Sequence, residues 1–502
     1  MATDRLNAAL ALSRFGLGAR AGDIDAIASD PRAALREEIA THLVPVPEGE
    51  GLRSSRELLV DYYAFTEMRR EERERKAALA VPGGSGAANA PQSTAPAPSS
   101  PALAAPGTAS QDMAGKAAPM PADAPQALAK EPPLPQQVFL AEAKARFSGT
   151  VHVPRIGFGE RLAMFWANHF AISATKGGNV RILAGAFERE AIRPHVFGRF
   201  QDMLLAVETH PAMLFFLDNQ QSFGPNSRAG QNRKRGLNEN LAREILELHT
   251  LGVDGGYSQA DVTSLARIIT GWTVVGRQGL LGDPGTFTFF ANAHEPGDQQ
   301  LLGRTYADAG FEQGKAALID LARNPATATH IARKFARHFV ADQPPPSLVD
   351  RLAATFRATD GDLAAVAKAL VDANEAWTPE LVKLRSPLEF SVALLRATNA
   401  KPAPQPVLGG LYVMGQPLWQ PPGPNGFPDT ADAWASPEGL RMRMDVANVA
   451  ATKAADFFDP PDFLDGRLGP LASNETRQAV ARAESRAQGL AIAFMSPEFQ
   501  RR

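Results

Sequence analysis

The stretch NENLAREILELHTLGVDGGYSQADVTSLARIITGW, residues 238–272, carries the clearest local structural signal in the chain. Apolar residues recur at helical spacing on both sides of a glycine-rich turn, and Gly252 is placed to end the first run. Ser258 precedes the second run, and Asp261 follows it by three residues, which is the spacing of a capping box. The stretch therefore predicts two helices joined by a short loop, residues 253–257.

The same 3.6-residue periodicity dominates most of the remaining sequence, which predicts a mainly α-helical protein. Its segments are residues 161–172, 182–207, 211–219, 238–251, 259–270, 311–321, 326–341, 346–359, 362–373 and 386–398. Residues 285–306 differ, because Phe287 and Phe289 alternate with threonines and turn residues follow. This segment predicts a small β-hairpin or two short strands beside the helices.

Residues 80–135 are rich in Pro, Ala and Ser and contain no aromatic residue. Such a composition cannot bury enough apolar surface to offset the entropy of ordering, so a disordered insertion is expected here. Helical pattern resumes directly afterwards, which favours a loop inserted into one domain over a linker between two. We therefore expect residues 1–79 and 136–502 to form a single large multi-helix domain.

Charge and composition narrow the functional classes. The chain has 52 basic and 54 acidic side chains and a formal net charge of -2, which gives no overall field that would attract nucleic acid. It contains no cysteine, which excludes disulfides, thiolate metal sites and cysteine nucleophiles. Neither a secretory signal nor a membrane-spanning run is evident, so a cytoplasmic location and no membrane span are expected.

The helix around residues 160–173 carries the first candidate for chemistry. On a helical wheel, Phe165, Trp166 and His169 fall on one apolar face. A histidine in such a stripe is either a core residue with satisfied ring nitrogens or a ligand or acid–base group that faces a cleft. Both interpretations remain open for His169, whereas His338, within the apolar stripe of its own helix, is interpreted as structural.

The helix at residues 238–251 carries a second group. Asn240, Glu244 and Glu247 share one face, and Arg243 lies between them in the sequence. His249 lies roughly 200° from Glu247 at 100° per residue, so no one-helix metal motif is present, and a site that uses both must draw on other helices. The alternative interpretation of this face is a solvated charged surface.

Two loops complete the candidate set. His294 lies before a turn with Glu295 and Asp298 close by, which suits a loop-borne ligand or proton-transfer group, with simple exposure as the alternative. In GQPLWQPPGPNGFPD, residues 415–429, proline and the apolar anchor Trp419 predict an ordered loop, on which Asn425 is a candidate for substrate binding.

Several stretches together resemble the bacterial domain-of-unknown-function family 1800. They are RFGLGA from Arg14, FWANHFAIS from Phe165, NENLAREILELHTLGVDGGYSQADV from Asn238, TGW from Thr270, HEPGDQQLLG from His294, HIARKFARHFVAD from His330, SPLE from Ser386 and GQPLWQPPGPNGFPD from Gly415. The resemblance implies a mainly helical fold without an established reaction. It also implies a partner, because genes of the family often neighbour those of an uncharacterised sulfatase-like family numbered 1501.

Two hypotheses follow for the function. In the first, His169, Asn240, Glu244, Glu247, His249 and His294 form the catalytic cleft of a hydrolase or transferase, which uses acid–base chemistry or a divalent metal. Arg243, or the loop NRKRG at residues 232–236, would then hold an anionic substrate, and the loop of Trp419 and Asn425, also candidates for substrate binding, would form a wall of the cleft. In the second, the protein is a non-catalytic binding or assembly protein that holds a sulfatase-like partner on its Pro/Trp surface.

Overall fold

The helical periodicity is realised as a mainly α-helical structure, seen in a computed structural model that describes residues 2–79, 134–233, 236–401 and 403–502. Within these ranges the α-helices of the first half are α1 Ala2–Leu10, α2 Asp23–Ile27, α3 Pro31–Ala40, α4 Ser55–Leu79, α5 Leu134–His152, α6 Phe158–His169, α7 Gly178–Phe187, α8 Phe200–Glu208, α9 Pro211–Phe216, α10 Arg228–Arg233, α11 Asn240–Glu244 and α12 Gln259–Ile268. Those of the second half are α13 Phe311–Arg323, α14 Pro325–Phe339, α15 Pro346–Ala358, α16 Leu363–Asp372, α17 Pro387–Thr398, α18 Pro404–Val413, α19 Ala431–Trp434, α20 Pro437–Ala454, α21 Pro460–Arg467, α22 Asn474–Ala481, α23 Arg486–Met495 and α24 Pro497–Gln500.

Three of these helices continue into a π-helical turn, at Ala11–Phe15, Glu188–Ile192 and Ile245–His249. Residues 182–207, predicted as part of one periodic helix, are divided by such a turn and by a 3₁₀ segment, Arg193–His195, before α8 begins. Pro194 explains the break, because proline cannot donate the backbone hydrogen bond that a continuous helix requires. Both capping residues predicted around the loop 253–257 are confirmed: Gly252 adopts a positive φ of 87°, and Ser258 and Asp261 form the capping box.

The strands form two small antiparallel pairs. β1 Trp272–Val274 pairs with β2 Phe287–Phe289, and β3 Gln299–Leu301 pairs with β4 Arg304–Tyr306. The prediction of short strands in residues 285–306 is confirmed, with one change of partner. The Phe287 strand pairs with the segment that follows α12, because the buried indole of Trp272 and the ring of Phe287 pack edge to face there.

The chain divides into two compact units, residues 1–64 with 134–502, and residues 65–133. In the second unit the described residues are the continuation of α4 as far as Leu79. The predicted disordered insertion falls almost wholly on residues 80–133, which lie outside the described residues. The single-domain boundaries at 1–79 and 136–502 stay a prediction.

Two helices define the centre of the first unit. α6 is buried along most of its length, and it meets α14 through the rings of Phe165 and Phe335, whose centroids are 4.8 Å apart. Trp166 packs against the same Phe335 from the next position on α6. Since most of α6 is covered, the polar side chains that it carries lie inside the protein, where each one requires a partner.

No helix in the described ranges combines the length and the apolar character that crossing a bilayer requires.

Candidate functional site

The site is a cavity of about 350 Å³ between α6, α14, the start of α17 and the loop of residues 416–430. Apolar walls come from Phe165, Leu411 and Trp419, among others. The polar and charged side chains that line it are Arg146, Asn168, His169, Glu188, His330, Lys334, Arg337, His338, Ser386, Glu389, Gln416, Asn425, Asp429 and Thr430. A cavity of this size, mainly apolar with convergent polar groups, is typical of a small-molecule site.

The first carboxylate that lines the cavity, Glu188, is neutralised by buried cations. It accepts hydrogen bonds from Arg146 Nε at 2.8 Å and from Arg193 Nη2 at 2.6 Å. Although burial alone would favour its neutral form, the two guanidinium groups hold the pKa of Glu188 at about 2. The carboxylate is therefore ionised and paired at neutral pH.

The second lining carboxylate is Glu389, at the start of α17. It lies 2.7 Å from Arg161 Nη2 and accepts hydrogen bonds from Arg502 at 3.0 Å. These two guanidinium groups lower the pKa of Glu389 far below its usual value, although burial acts in the opposite direction. The carboxylate stays ionised and paired, which leaves it without the capacity to act as a base.

The third lining carboxylate, Asp429, forms a histidine–carboxylate pair that resembles a catalytic dyad. His338 Nδ1 lies 2.8 Å from Asp429 Oδ2, while Arg161 Nε donates to His338 Nε2 at 3.1 Å. Because Nε2 accepts this hydrogen bond, the imidazole is neutral, and burial lowers the pKa of His338 to about 4. Both ring nitrogens are occupied, so His338 positions Asp429, in agreement with the structural interpretation of this histidine.

Lys334 differs from the other charged residues around the cavity. Its side chain is half-buried, and no described residue pairs with its ammonium group through a hydrogen bond or an ion pair. Burial lowers the pKa of Lys334 to about 8, with the charge of Asp429 opposing this shift and that of Arg337 adding to it. An amine with this pKa exists in both protonation states near neutral pH.

Two imidazoles beside Lys334 are fixed by the π-helical end of the segment that follows α11. His169 Nε2 donates to the carbonyl oxygen of His249 at 3.2 Å, and His330 Nε2 donates to that of Leu248 at 3.1 Å. Carbonyls in the last turn of a helix have no partner within the helix, so they are free to accept these bonds. The chain geometry thereby sets the orientation of both rings.

Both imidazoles are neutral at physiological pH. Burial, followed by the charge of Lys334, lowers the pKa of His330 to about 4 and that of His169 well below its ordinary value. With Nε2 of His169 donating, Nδ1 is left as an acceptor, and this buried atom has no hydrogen-bond partner among the described residues. His169 therefore carries a buried acceptor without a partner among the described residues, on a side chain that lines the cavity.

The loop of residues 416–430 is held against α6 by a single amide. Asn168 Nδ2 donates to the carbonyl oxygen of Phe427 at 2.9 Å, and the backbone N–H of Phe427 donates to Asn168 Oδ1 at 2.8 Å. Nearer the start of the loop, Trp419 Nε1 donates to Glu188 Oε2 at 3.2 Å. The contacts of Asn168 and Glu188 thus anchor this loop, which its prolines and Trp419 predicted to be ordered.

Replacing Asn168 with alanine is expected to loosen this loop. The change removes both hydrogen bonds to Phe427 and leaves its backbone groups to be satisfied by water, at a cost of about 1–3 kcal/mol. Hydrogen exchange of residues 423–430 should accelerate while that of α14 stays unchanged. Equal protection of the loop in the variant and the wild-type protein would contradict this role of Asn168.

The structure distributes the predicted site residues over several places. His169, Trp419 and Asn425 line the cavity, and their catalytic and substrate-binding roles stay predictions. His249 lies behind His169, with ring centroids 6.3 Å apart, and its Nδ1 is 2.7 Å from Glu208 Oε1. His249 and Glu208 are fully buried, so this pair supports the wall from within.

The polar face of α11 lies outside the cavity lining. Asn240 is exposed, and Arg243 donates to Glu239 at 3.2 Å and to Gln259 at 3.0 Å. Glu247 accepts a hydrogen bond from Tyr257 at 3.3 Å. Glu244 is half-buried, and burial raises its pKa. The catalytic and substrate-binding roles of these α11 residues stay predictions.

His294 occupies a separate position beside β2. Its Nδ1 donates to the carbonyl oxygen of Thr270 at 3.0 Å, and its ring packs against Phe289 with centroids 5.2 Å apart. Glu295 is likewise engaged, since its carboxylate accepts hydrogen bonds from Asn226. Of the three histidines predicted to converge, His169 and His249 are close together, whereas His294 is not among the residues that line this cavity.

Sequence reasoning missed three residues of α14 that line the cavity. His330, Lys334 and Arg337 are spaced by four and three residues, and this spacing places them on one helix face. That pattern is present in the sequence, within the stretch HIARKFARHF. The pattern could not show that Glu188 and Glu389, which also line the cavity, are paired with arginines of other segments.

Gly252 is required by the position of His330. A β-carbon at this glycine would lie 2.7 Å from His330 Nδ1, and the backbone has a positive φ of 87°. Gly252→Ala is therefore expected to destabilise the protein by about 1–3 kcal/mol and to displace the imidazole. Thermal unfolding checks the first effect, with Gly256→Ala as the matched control, since Gly256 has a similar φ of 80° and open space around it. Equal losses in both variants would contradict the contact with His330.

Among the described residues, no group of three or more His, Asp or Glu side chains is arranged to hold a metal ion. The buried histidines His169 and His249 each direct one nitrogen to a carbonyl or carboxylate partner. The divalent metal considered from the sequence stays a prediction.

Fold and cavity together define a mainly helical protein with a cavity that is lined by apolar and charged side chains. A family model described as a protein of unknown function (DUF1800) matches residues 10–501. The chain therefore belongs to this family, which confirms the resemblance seen in the sequence. No curated protein and no solved structure matches the chain.

Proposed function

We propose that the cavity is the active site of an acid–base hydrolase or transferase that acts on a small anionic substrate. The observation that carries this proposal is the half-buried amine of Lys334, which pairs with no described residue and has a pKa of about 8. A general base is most effective when its pKa lies near the working pH. Residues with perturbed pKa values in a cavity are also the usual candidates for catalysis.

The charge balance of the cavity favours an anionic substrate. Glu188, Glu389 and Asp429 are each paired with buried cations, while Lys334 and Arg337 have no carboxylate within ion-pair distance in the described chain. A carboxylate, phosphate or sulfate group would pair with these donors after leaving water.

Each step of the proposed acid–base reaction is assigned to a residue of the cavity. Arg337 holds the anionic group, and His169 lines the wall of the cavity near Lys334. Neutral Lys334 takes the proton from the attacking water or hydroxyl as its oxygen bonds to the electrophilic centre, and the resulting ammonium returns that proton to the leaving group. Trp419 and Asn425 line the side of the cavity that the loop of residues 416–430 forms.

The alternative function depends on an exposed Pro/Trp surface. Trp434 is only 8% exposed, and its indole donates to the carbonyl oxygen of Pro428, so little of this ring is left for a partner. Assembly with a sulfatase-like protein of family 1501 therefore stays a prediction, as do the cytoplasmic location and the absence of nucleic-acid binding.

Pyridoxal 5′-phosphate is a suitable probe of the proposed site, because it is an anionic aldehyde that forms an imine with a neutral amine. At pH 8, an amine with a pKa of about 8 is half neutral, roughly a hundredfold more than an amine with the ordinary value of about 10.4. Borohydride reduction followed by peptide mapping should identify Lys334 as the first lysine to be modified.

5′-Deoxypyridoxal, which lacks the phosphate and cannot close to an internal hemiacetal, is the matched control for the charge. The phosphate form should modify Lys334 at least about tenfold faster than 5′-deoxypyridoxal, as expected for one charge-assisted interaction, and Arg337→Met should remove most of this difference. Modification spread evenly over Lys315, Lys334 and Lys368 would overturn the proposal.

A further inference from the structure

A second cavity, distinct from the proposed active site, lies between α17, α18 and α20. It is an open groove of about 590 Å³, and its walls include Leu394, Val407, Val446 and Ala450. Both α18 and α20 pack on α17, which forms the floor between them. The volume is that of a small-molecule site.

The rim of this groove exposes large apolar side chains. Phe457 is 78% exposed and Val449 is 58% exposed, and both line the groove. Tyr412 and Met444, on α18 and α20, are also exposed. Large apolar side chains exposed at a groove are typical of a binding site.

Both charged residues that line the groove are cationic. Lys401 and Lys453 line it, no Asp or Glu is found among the described lining residues, and neither lysine has an ion-pair partner within the described part of the chain. The nearby carboxylates of α20 are engaged elsewhere, because Arg441 pairs with Glu438 at 2.9 Å and with Asp445 at 3.3 Å. Two uncompensated ammonium groups beside an apolar trough complement an anionic head group attached to an apolar tail.

We propose that this groove binds a long-chain fatty acid, with its acyl chain along Leu394, Val446 and Val449 and its carboxylate between Lys401 and Lys453. An acyl chain brings no backbone polar groups, so it needs no hydrogen bonds from the apolar wall. A protein partner would ordinarily cover about 800 Å² on each side, which requires a broader surface than one small-ligand groove. The proposal is independent of the chemistry assigned to Lys334.

The test is calorimetric titration of the full chain with palmitate below its aggregation concentration. One molecule of palmitate should bind per chain, and cetyltrimethylammonium, with the same tail length and the opposite charge, should bind at least about tenfold more weakly. The double variant Lys401→Glu, Lys453→Glu should weaken palmitate binding by a similar factor, because it reverses both charges of the rim.

Two further variants separate binding from folding. Val449→Asp places a charge against the proposed acyl chain and should abolish palmitate binding, while Lys315→Glu on α13 should leave it unchanged. Since Val449, Lys401 and Lys453 are exposed, thermal unfolding of these variants should match that of the wild-type protein. Absence of palmitate binding to the wild-type chain, or equal binding by the double variant, would overturn the proposal.

Discussion

Replacing Lys334 with methionine is expected to stabilise the protein at pH 7 by about 1–3 kcal/mol while abolishing modification by pyridoxal 5′-phosphate. The pKa of Lys334 in the folded protein is about 8, below the ordinary value. The unfolded chain thus binds this proton more tightly than the folded one, and the charge opposes folding at neutral pH. Methionine keeps most of the side-chain volume and removes the charge.

The pH dependence gives the sign of this effect. Between about pH 8 and pH 10.4 the unfolded state retains the proton that the folded state has lost, so the stability of the wild-type protein rises with pH in this window. The advantage of the variant should be full below about pH 8 and should vanish above about pH 10.4. Urea unfolding at several pH values measures this difference in the free energy of unfolding between the variant and the wild-type protein.

Lys315→Met is the control for the Lys334 prediction, because Lys315 is partly exposed on α13 and pairs with Glu312. Its effect on the free energy of unfolding should stay within about 0.5 kcal/mol at every pH. A Lys334→Met variant that is less stable than the wild-type protein at pH 7 would contradict the description of Lys334 as an unpaired, partly desolvated charge.

Glu188→Gln is expected to destabilise the protein by about 3–5 kcal/mol, the largest loss among these variants. The change preserves shape but leaves the buried guanidinium of Arg146 without its carboxylate and takes one of two carboxylates from Arg193. It also weakens the hydrogen bond that holds Trp419 at the wall of the cavity. Chemical unfolding at pH 7 gives the magnitude.

Acid provides an independent check on Glu188. Because its pKa in the folded protein is about 2, below the ordinary value of 4.5, its ionisation stabilises the fold above pH 4.5, and this contribution is lost as the pH falls towards 2. The difference in the free energy of unfolding between the wild-type protein and Glu188→Gln should therefore become smaller as the pH falls from 4.5 towards 2. Glu438→Gln, on the exposed face of α20, should cost less than about 0.5 kcal/mol at pH 7. Equal losses in the two variants would contradict the role of Glu188.

The fold class was predictable because helical periodicity and capping residues act locally. The loop between α11 and α12 illustrates this, since Gly252 and Ser258 both have the conformations that their positions predicted. The helix before that loop departs from ideal geometry at its π-helical turn, Ile245–His249. Burial there follows a spacing of four residues, which places Leu241, Ile245 and His249 on the buried side.

The site was only partly predictable, because charge pairing depends on distant helices. His169 could be placed on the inner face of α6 from spacing alone. Glu389 is neutralised by Arg161 of α6 and by Arg502 beyond α24. Both arginines are far from Glu389 in the sequence. Since a wheel shows only one helix, it could not reveal that Lys334 is left unpaired while neighbouring carboxylates are engaged by arginines.

The most direct test of the proposed active site is the titration of the Lys334 amine itself. Reductive methylation with ¹³C-formaldehyde gives each lysine an NMR signal whose shift follows its protonation, and Lys334→Arg identifies the signal of Lys334 by its loss. We expect a midpoint for Lys334 near pH 8, about two units below an ordinary lysine. A midpoint near about 10.4 would show an amine that is solvated or paired, and would contradict the proposed active site.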